Sequence, residues 1–296
     1  MTSPGPGSIS VVLATYEWPG ALEVVLRALA EQRGDAFEVI VADDGSGEDT
    51  ARLIERWSGR FEMRHVWQLD EGFRKARALD LAALAAGGDY LVFLDGDCVP
   101  RRGFMDAVRR AALPGWFLST KRLNLSPALS TRVVDKGIPI WRWSTPQWVL
   151  RAPRHMARPG YLVPARDRRR PWREAQPEFT PPGASYCVVG LHRADFERVN
   201  GYDARCVRWN DGEDQDLAIR LRRSGLRCGW PGPASTVLHL WHATRKQSSN
   251  PHSRLYRETA AGTHVEAVVG LRELKRELAK GDANPKRIGG SGSSRR

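Results

Sequence analysis

Several things are scarce in this sequence. Cysteine occurs four times in 296 residues, at Cys98, Cys187, Cys206 and Cys228, with no C-x-x-C pair. That spacing makes neither a zinc site nor a small disulfide framework, and it points to a reducing compartment. No run approaches the about 18 apolar residues of a membrane-spanning helix. The opening residues lack the charged-then-apolar pattern of a secretory signal. The expectation is a cytoplasmic protein, soluble or attached peripherally to a membrane. Neither G-x-G-x-x-G nor G-x-x-x-x-G-K-[ST] follows the first apolar strand, which argues against a dinucleotide-binding dehydrogenase and a P-loop nucleoside triphosphatase. Acids are outnumbered, 34 against 46 Lys plus Arg, for a net charge of +12. A basic balance favours polyanions such as nucleic acid, anionic headgroups and phosphorylated glycans or nucleotides, or simply serves solubility. The signals that support nucleic-acid binding (a zinc finger, an aromatic ribonucleoprotein strand, a helix-turn-helix) are missing, so no nucleic-acid partner is expected.

What is present is an alternation of short apolar runs and amphipathic stretches. Residues 8–14 (SISVVLA) read as a buried strand and 21–32 as a helix. Residues 37–42 (FEVIVA) are a second strand, ending in Asp43-Asp44-Gly45-Ser46, and 48–57 a second helix. A third strand near 63–67 leads to Glu71-Gly72-Phe73-Arg74-Lys75-Ala76-Arg77 and a third helix. This is the βαβ pattern of a parallel sheet, so the fold class is α/β. The stretch 89–97 (DYLVFLDGD) then runs an apolar strand straight into Asp95 and Asp97. The carboxyl ends of such strands are where open α/β sheets bind ligands. Two carboxylates there suit a phosphate-bearing ligand and its divalent cation, although a D-x-D arises about once by chance in a chain of this length at average composition. Asp43-Asp44-Gly45-Ser46 reads either as a nucleotide contact, with Asp44 accepting from a base edge, or as a plain strand-to-helix turn.

Beyond 115 the periodicity is poor and Pro, Arg and Trp are dense. Residues 151–173 carry eight Arg against one acid, Asp167. This is either a solvated loop or a dock for anionic lipid or a phosphorylated acceptor. Order resumes near 183, with a strand, a short helix and the turn Asn200-Gly201-Tyr202-Asp203. From Glu213 a helix begins with acids in its first turn, as the macrodipole favours. A last strand carries His239 and His242, three apart, which serve either as ligands or structurally. One long amphipathic helix is expected over 253–280, ended by Gly281, and a Gly/Ser/Arg-rich disordered tail over 282–296.

In order, Ala14-Thr15-Tyr16, Asp43-Asp44-Gly45-Ser46, Asp95-Gly96-Asp97, and Asn200-Gly201-Tyr202-Asp203 followed by Gly212-Glu213-Asp214-Gln215-Asp216-Leu217 resemble glycosyltransferase family 2 over residues 8–245. Asp70-Glu71-Gly72-Phe73-Arg74 and the G-E-D-x-D-L-x-x-R-L run are most similar to its chondroitin polymerase and β-1,4-galactosyltransferase-like branch. The resemblance implies a GT-A fold: a Rossmann-like, mostly parallel central sheet flanked by helices, with an Arg/Trp-rich insertion and a C-terminal helix. It divides the chain into a leader (1–8), a nucleotide-sugar-binding half (9–110), a Pro/Arg/Trp-rich insertion (111–182), an acceptor-binding and catalytic half (183–246), the C-terminal helix (247–281) and the tail. It implies an inverting transfer of sugar from a UDP-sugar to a hydroxyl of a glycan or lipid-linked acceptor, in cell-surface polysaccharide or lipopolysaccharide synthesis at the inner face of the cytoplasmic membrane.

By the same resemblance Thr15, Asp44, Lys75, Arg77 and Asp95 hold the nucleotide, with Asp44 at uracil and Asp95 at the ribose or metal. Asp97, His242 and His239 ligate Mn2+ or Mg2+, and Glu213 and Asp214 sit at the acceptor hydroxyl. Asp214 is the expected general base. One departure stands out: Asn210-Asp211 separate Trp209 from the G-E-D, where the branch has Trp-Gly, which affects the acceptor-stacking role of Trp209. The rival readings are a sugar-phosphate nucleotidyltransferase, which usually carries a Gly-rich basic loop that Thr15-Tyr16-Glu17-Trp18 does not supply, and a basic membrane- or nucleic-acid-binding module. A transferase-like scaffold without activity is disfavoured, because the D-x-D, E-D and histidine positions are all filled.

Overall fold

Short apolar runs bounded by Gly, Asp and Pro become strands, and the amphipathic stretches between them become helices. The computed structural model describes residues 7–34, 36–151, 173–174, 187–209, 211–243, 254–281 and 286–288. The first part is β1 (Ile9–Thr15), α1 (Pro19–Ala30), β2 (Glu38–Asp43), α2 (Glu48–Trp57), β3 (Glu62–Trp67), α3 (Lys75–Ala85) and β4 (Tyr90–Asp95). Then come β5 (Cys98–Pro100), α4 (Phe104–Ala111), β6 (Trp116–Ser119), β7 (Arg122–Asn124), α5 (Pro127–Lys136), α6 (Thr145–Arg151) and β8 (Arg173–Glu174). The last part is β9 (Val188–His192), α7 (Arg193–Arg198), α8 (Glu213–Arg223), β10 (Arg227–Trp230), β11 (Val237–His239), α9 (Arg254–Ala261), α10 (Leu271–Lys280) and β12 (Lys286–Ile288).

The main sheet runs β12-β3-β2-β1-β4-β9-β6-β10-β8, and β5-β11-β7 form a small second sheet. Strands β1 to β4 are mutually parallel, and β9 runs antiparallel between β4 and β6. The chain leaves β1 toward β2 and β3, then returns to the other side of β1 as β4. At such a reversal the carboxyl ends of the flanking strands, here β1 and β4, border the crevice in which open sheets bind ligands. The strands alternate between two layers. Val11, Leu13, Val92 and Leu94 pack with α1, α4 and α5. Val12, Ile40, Leu91 and Phe93 pack with α3, α7, α8 and α10. Strands covered on both faces read as continuous apolar runs rather than alternating ones.

Three expectations differ from the structure. The stretch drawn as an insertion from 111 is, over 116–151, part of the fold: β6 lies inside the main sheet, and Trp141 and Trp148 are buried in the core. The single helix expected over 253–280 is two, α9 and α10. The cause is tertiary. Asn200 takes over the start of α10: its carbonyl accepts from Leu271 N, and its side-chain oxygen from Arg272 N at 2.9 Å. The chain passes so close that a Cβ on Gly270 would lie 1.9 Å from the Asn200 carbonyl oxygen. Within the tail read as disordered, 286–288 form β12, antiparallel to β3. Most of 151–173, the leader up to residue 6, and Asn210 lie outside the described residues.

Candidate active site

The crevice collects the expected residues from strand ends far apart in sequence. Thr15 ends β1, Asp43 ends β2 and Asp95 ends β4. The two aspartates after β2 divide their work. Asp43 is fully buried, accepts from Ser46 N at 2.8 Å and faces the buried His65 at 2.8 Å, so it builds the turn. Asp44 also lies inside, accepting from Gln68 Nε2 at 2.5 Å and from Arg74 N at 2.8 Å. Burial raises the affinity of its carboxyl for a proton, and the Arg74 N–H and Gln68 oppose that. Arg74 is the residue before α3, so Asp44 ties the end of β2 to the start of that helix. The Thr15 carbonyl accepts from Asp44 N at 3.1 Å. Arg77 donates to Gln68 Oε1 at 2.8 Å and lies 3.4 Å from Glu277, so it braces the residue that braces Asp44.

Asp95 and Asp97 are separated by a glycine for a steric reason. Gly96 N donates to the Ala14 carbonyl at 2.8 Å, and a Cβ at Gly96 would lie 2.6 Å from that oxygen. Asp95 looks toward Lys75, the first residue of α3. The Lys75 ammonium lies 2.8 Å from Asp95 Oδ1, 3.0 Å from Glu213 Oε1 and 3.2 Å from Asp214 Oδ2. Burial pulls down the proton affinity of Lys75, but Asp214, Asp95 and Glu213 more than offset this and hold it well above the ordinary lysine range. Burial pushes the Asp214 carboxyl up to about 8, with Lys75 pulling down and Glu213 and Asp95 pushing further up.

Asp216, in the same acidic run, turns away. It pairs with the fully buried Arg220 at 2.6 and 2.8 Å and accepts from Thr259 Oγ1 at 2.7 Å. Arg220 in turn donates to the carbonyls of Val199 and Gly201. The first turn of α8 therefore presents two acids to the crevice and anchors itself with a third.

Asp97 faces β11. Antiparallel pairing sets His239 opposite Cys98, and Leu240 N donates to the Asp97 carbonyl at 2.9 Å. His239 Nε2 and His242 Nε2 each lie 3.4 Å from Asp97 Oδ2. The ligand atoms of these three residues lie within 4.8 Å of one another. Asp97 Oδ1 is buried without a hydrogen-bond partner among the described residues. Burial lowers the proton affinity of His239, against the pull of Asp97, and so favours the neutral ring that binds a metal. One carboxylate and two imidazoles with an unsatisfied oxygen are a donor set that fits a divalent cation such as Mn2+.

Aromatic rings line the crevice beside this cluster. His242 meets Trp18 and Trp209 edge-on, with centroids 6.1 and 5.8 Å apart, and Trp209 meets Phe73 at 6.0 Å. Trp209 is half exposed. The residue that departs from the expected motif shapes its loop: Asp211 accepts from Val207 N and Arg208 N, both at 2.9 Å. Sequence reasoning missed Trp18, Gln68 and the place of Lys75 among the acids. For Lys75 the signal was a lysine opening a helix after Gly72-Phe73-Arg74, but its carboxylate neighbours lie on other elements.

Residues 10–111 match the family model described as Glycosyl transferase family 2, and residues 172–243 match one described as the N-terminal domain of galactosyltransferase. The hyaluronan synthase of Pasteurella multocida is 34% identical over 93 residues, 31% of this chain and 10% of that protein. The validoxylamine A glucosyltransferase of Streptomyces hygroscopicus subsp. limoneus is 28% identical over 246 residues, 76% of this chain and 51% of that protein. The chain thus spans about half the length, or less, of these curated relatives. Among solved structures, a mannosyltransferase from Pyrobaculum calidifontis in complex with GDP-Man and Mn2+ superposes with a TM-score of 0.54 at 19% identity, over 97% of this chain and 68% of that one. GalNAc-T7 with UDP, GalNAc and Mn2+ gives 0.55 at 15% identity, over 87% and 48%. Residues 10–111 are thus similar to glycosyltransferase family 2, and the fold is similar to that of these solved glycosyltransferases.

Proposed function

We propose that the chain transfers a sugar from a UDP-sugar to a hydroxyl of a glycan or lipid-linked acceptor, with inversion, in cell-surface polysaccharide or lipopolysaccharide synthesis. The observation that carries this is the adjacency of two clusters at the switch point of the sheet. Asp97, His239 and His242 form one, and Asp95, Glu213 and Asp214 around Lys75 form the other. Thr15 and Asp44 shape the nucleotide pocket, and Arg77 supports Asp44 through Gln68. Asp95 reaches the ribose, and Asp97 with the two histidines holds Mn2+ or Mg2+. A cation held by these residues would supply Lewis-acid stabilisation of the charge on the diphosphate leaving group. Asp214 takes the proton of the acceptor hydroxyl as it attacks the anomeric carbon. A carboxyl raised to about 8 is a suitable base near neutral pH, since proton transfer works best with matched affinities. Glu213 orients the same hydroxyl, and a single displacement inverts the anomeric centre.

No helix among the described residues is long and apolar enough to cross a membrane. Peripheral contact of 151–173 with anionic lipid at the cytoplasmic face belongs to the same proposal and rests on the eight arginines there. A nucleotidyltransferase would instead make sugar nucleotides from nucleoside triphosphate, and a basic binding module would show a steep salt dependence and no turnover. The test is thermal unfolding with UDP. UDP is expected to raise the melting temperature in Mn2+ and not in chelator, and His242→Ala to remove the difference. Stabilisation at a hundredfold excess over Kd is about 2.7 kcal/mol. An equal shift in chelator would remove Asp97 and His242 from metal binding.

A further inference from the structure

We propose that Lys75 is a positioning residue that ties the nucleotide half of the crevice to the proton acceptor, opposing the protonation of Asp214 favoured by its carboxylate neighbours and aiming it at the acceptor. This rests on the reading of Asp214 as the base. The geometry is particular to a lysine. A lysine ends in a compact ammonium that several carboxylates can surround, and here three from two elements lie at 2.8, 3.0 and 3.2 Å, with Asp214 Oδ2 accepting a hydrogen bond. Asp95 comes from the end of β4, and Glu213 and Asp214 from the first turn of α8. Lys75 opens α3, whose start is pinned by Asp44 through Arg74 N. One side chain thus connects the ends of β2 and β4 to the helix that carries the base.

Among the described residues, Lys75 from α3, Asp95 from β4, Glu213 beside it on α8 and Tyr202 from the turn before α8 face Asp214. The Tyr202 hydroxyl is buried and has no hydrogen-bond partner among the described residues. Lys75 is the only cation among these four, and it is 17% exposed. Without it three carboxylates would confront one another at low solvent access, and Asp214 would take up a proton in preference to sharing that charge. Donor arrival acts on the same hub, because the proposed ribose contact, Asp95, is one of its three anchors.

The experiment is a double-mutant cycle followed against pH, on the full chain without ligand. Melting temperatures of wild type, Asp214→Asn, Lys75→Met and Lys75→Met/Asp214→Asn are measured from pH 4 to 10. The difference between a protein with Asp214 intact and its Asp214→Asn counterpart isolates the proton of that carboxyl, because the histidines and other groups cancel. That difference is expected to level off near pH 8 with Lys75 present. In the Lys75→Met background it is expected to level off about 1 to 2 pH units higher, within the usual effect of removing a close opposite charge from a carboxylate. Lys75→Gln serves if the Lys75→Met variant does not fold. Lys75→Arg keeps the charge but has a planar fork, so it is expected to hold the levelling-off point within about 0.5 pH unit while turnover falls. The same levelling-off point with and without Lys75 would overturn the proposal. Turnover of Asp214→Asn tests the base assignment separately: near-normal turnover would sink that reading and leave the Lys75–Asp214 coupling standing on the melting data.

Discussion

Replacing Asp214 by Asn should move activity and stability in opposite directions. On the activity side, the amide has no basic oxygen. The loss is that of a general base, about 10²- to 10⁴-fold in kcat, or roughly 3–5 kcal/mol of barrier at 1.36 kcal/mol per tenfold. On the stability side the sign follows from proton linkage. In the folded protein the Asp214 carboxyl keeps its proton up to about 8, against 3.8 ordinarily. The unfolded chain therefore sheds this proton first as pH rises, and stability falls across pH 4 to 8. A displacement of roughly four units sets a ceiling of about 6 kcal/mol, at about 1.36 kcal/mol per unit. The side chain is 16% exposed and Lys75 would lose one of its three carboxylates, so the net gain from the amide is smaller, about 1–3 kcal/mol. At about 2–4 °C per kcal/mol for domains somewhat smaller than this chain, the Asp214→Asn variant should melt roughly 2–12 °C above wild type at pH 8. The two should converge near pH 4. The assay pairs calorimetry at pH 4, 6 and 8 with steady-state release of UDP from a panel of UDP-sugars in Mn2+. A variant that turns over normally would remove Asp214 from proton transfer. One that melts at or below wild type at pH 8 would show that the carboxyl is not under the strain described.

Two further outcomes follow from the neighbouring contacts. Arg220→Met leaves Asp216 buried without its counter-charge and frees the carbonyls of Val199 and Gly201. The cost should be about 3–5 kcal/mol, visible as a large drop in the denaturation midpoint, and a change within about 0.5 kcal/mol would contradict the structural role. Trp209→Ala removes a half-exposed ring that meets both Phe73 and His242 edge-on. It should raise the KM for a saccharide acceptor at least tenfold and leave the UDP-induced thermal shift in place. Loss of that shift would assign the ring to the donor side instead.

Much of the site could be read from sequence because strand ends are local features. A run such as 90–94 declares itself buried, and whatever follows it must lie at the carboxyl edge of the sheet. Asp44, Asp95 and Asp97 are legible in this way. So are Glu213 and Asp214, since acids in a helix's first turn are recognisable from the chain alone. The continuous helix over 253–280 failed for the opposite reason. Its apolar spacing is helical throughout, but Asn200, some 70 residues earlier, supplies hydrogen bonds that start α10 afresh. The stretch after 115 failed because its strands are three or four residues long, too short to show a period.

The chain by itself determined which segments are strands, which carboxylates stand at their ends, and the order of motifs that carries the family resemblance. These depend on near neighbours, where the alternation of side chains and the chemistry of turns act directly. Only the tertiary structure decided what each charge faces. Lys75 and Asp214 are 139 positions apart, and nothing local tells that lysine to choose three acids rather than a phosphate. Asp97 and the two histidines meet because β11 pairs with β5. Asp216 and Asp214, two residues apart on one helix, were assigned opposite tasks by the turn of that helix. One is sealed against a buried arginine, and the other is held at the crevice, where burial and crowding raise its affinity for a proton.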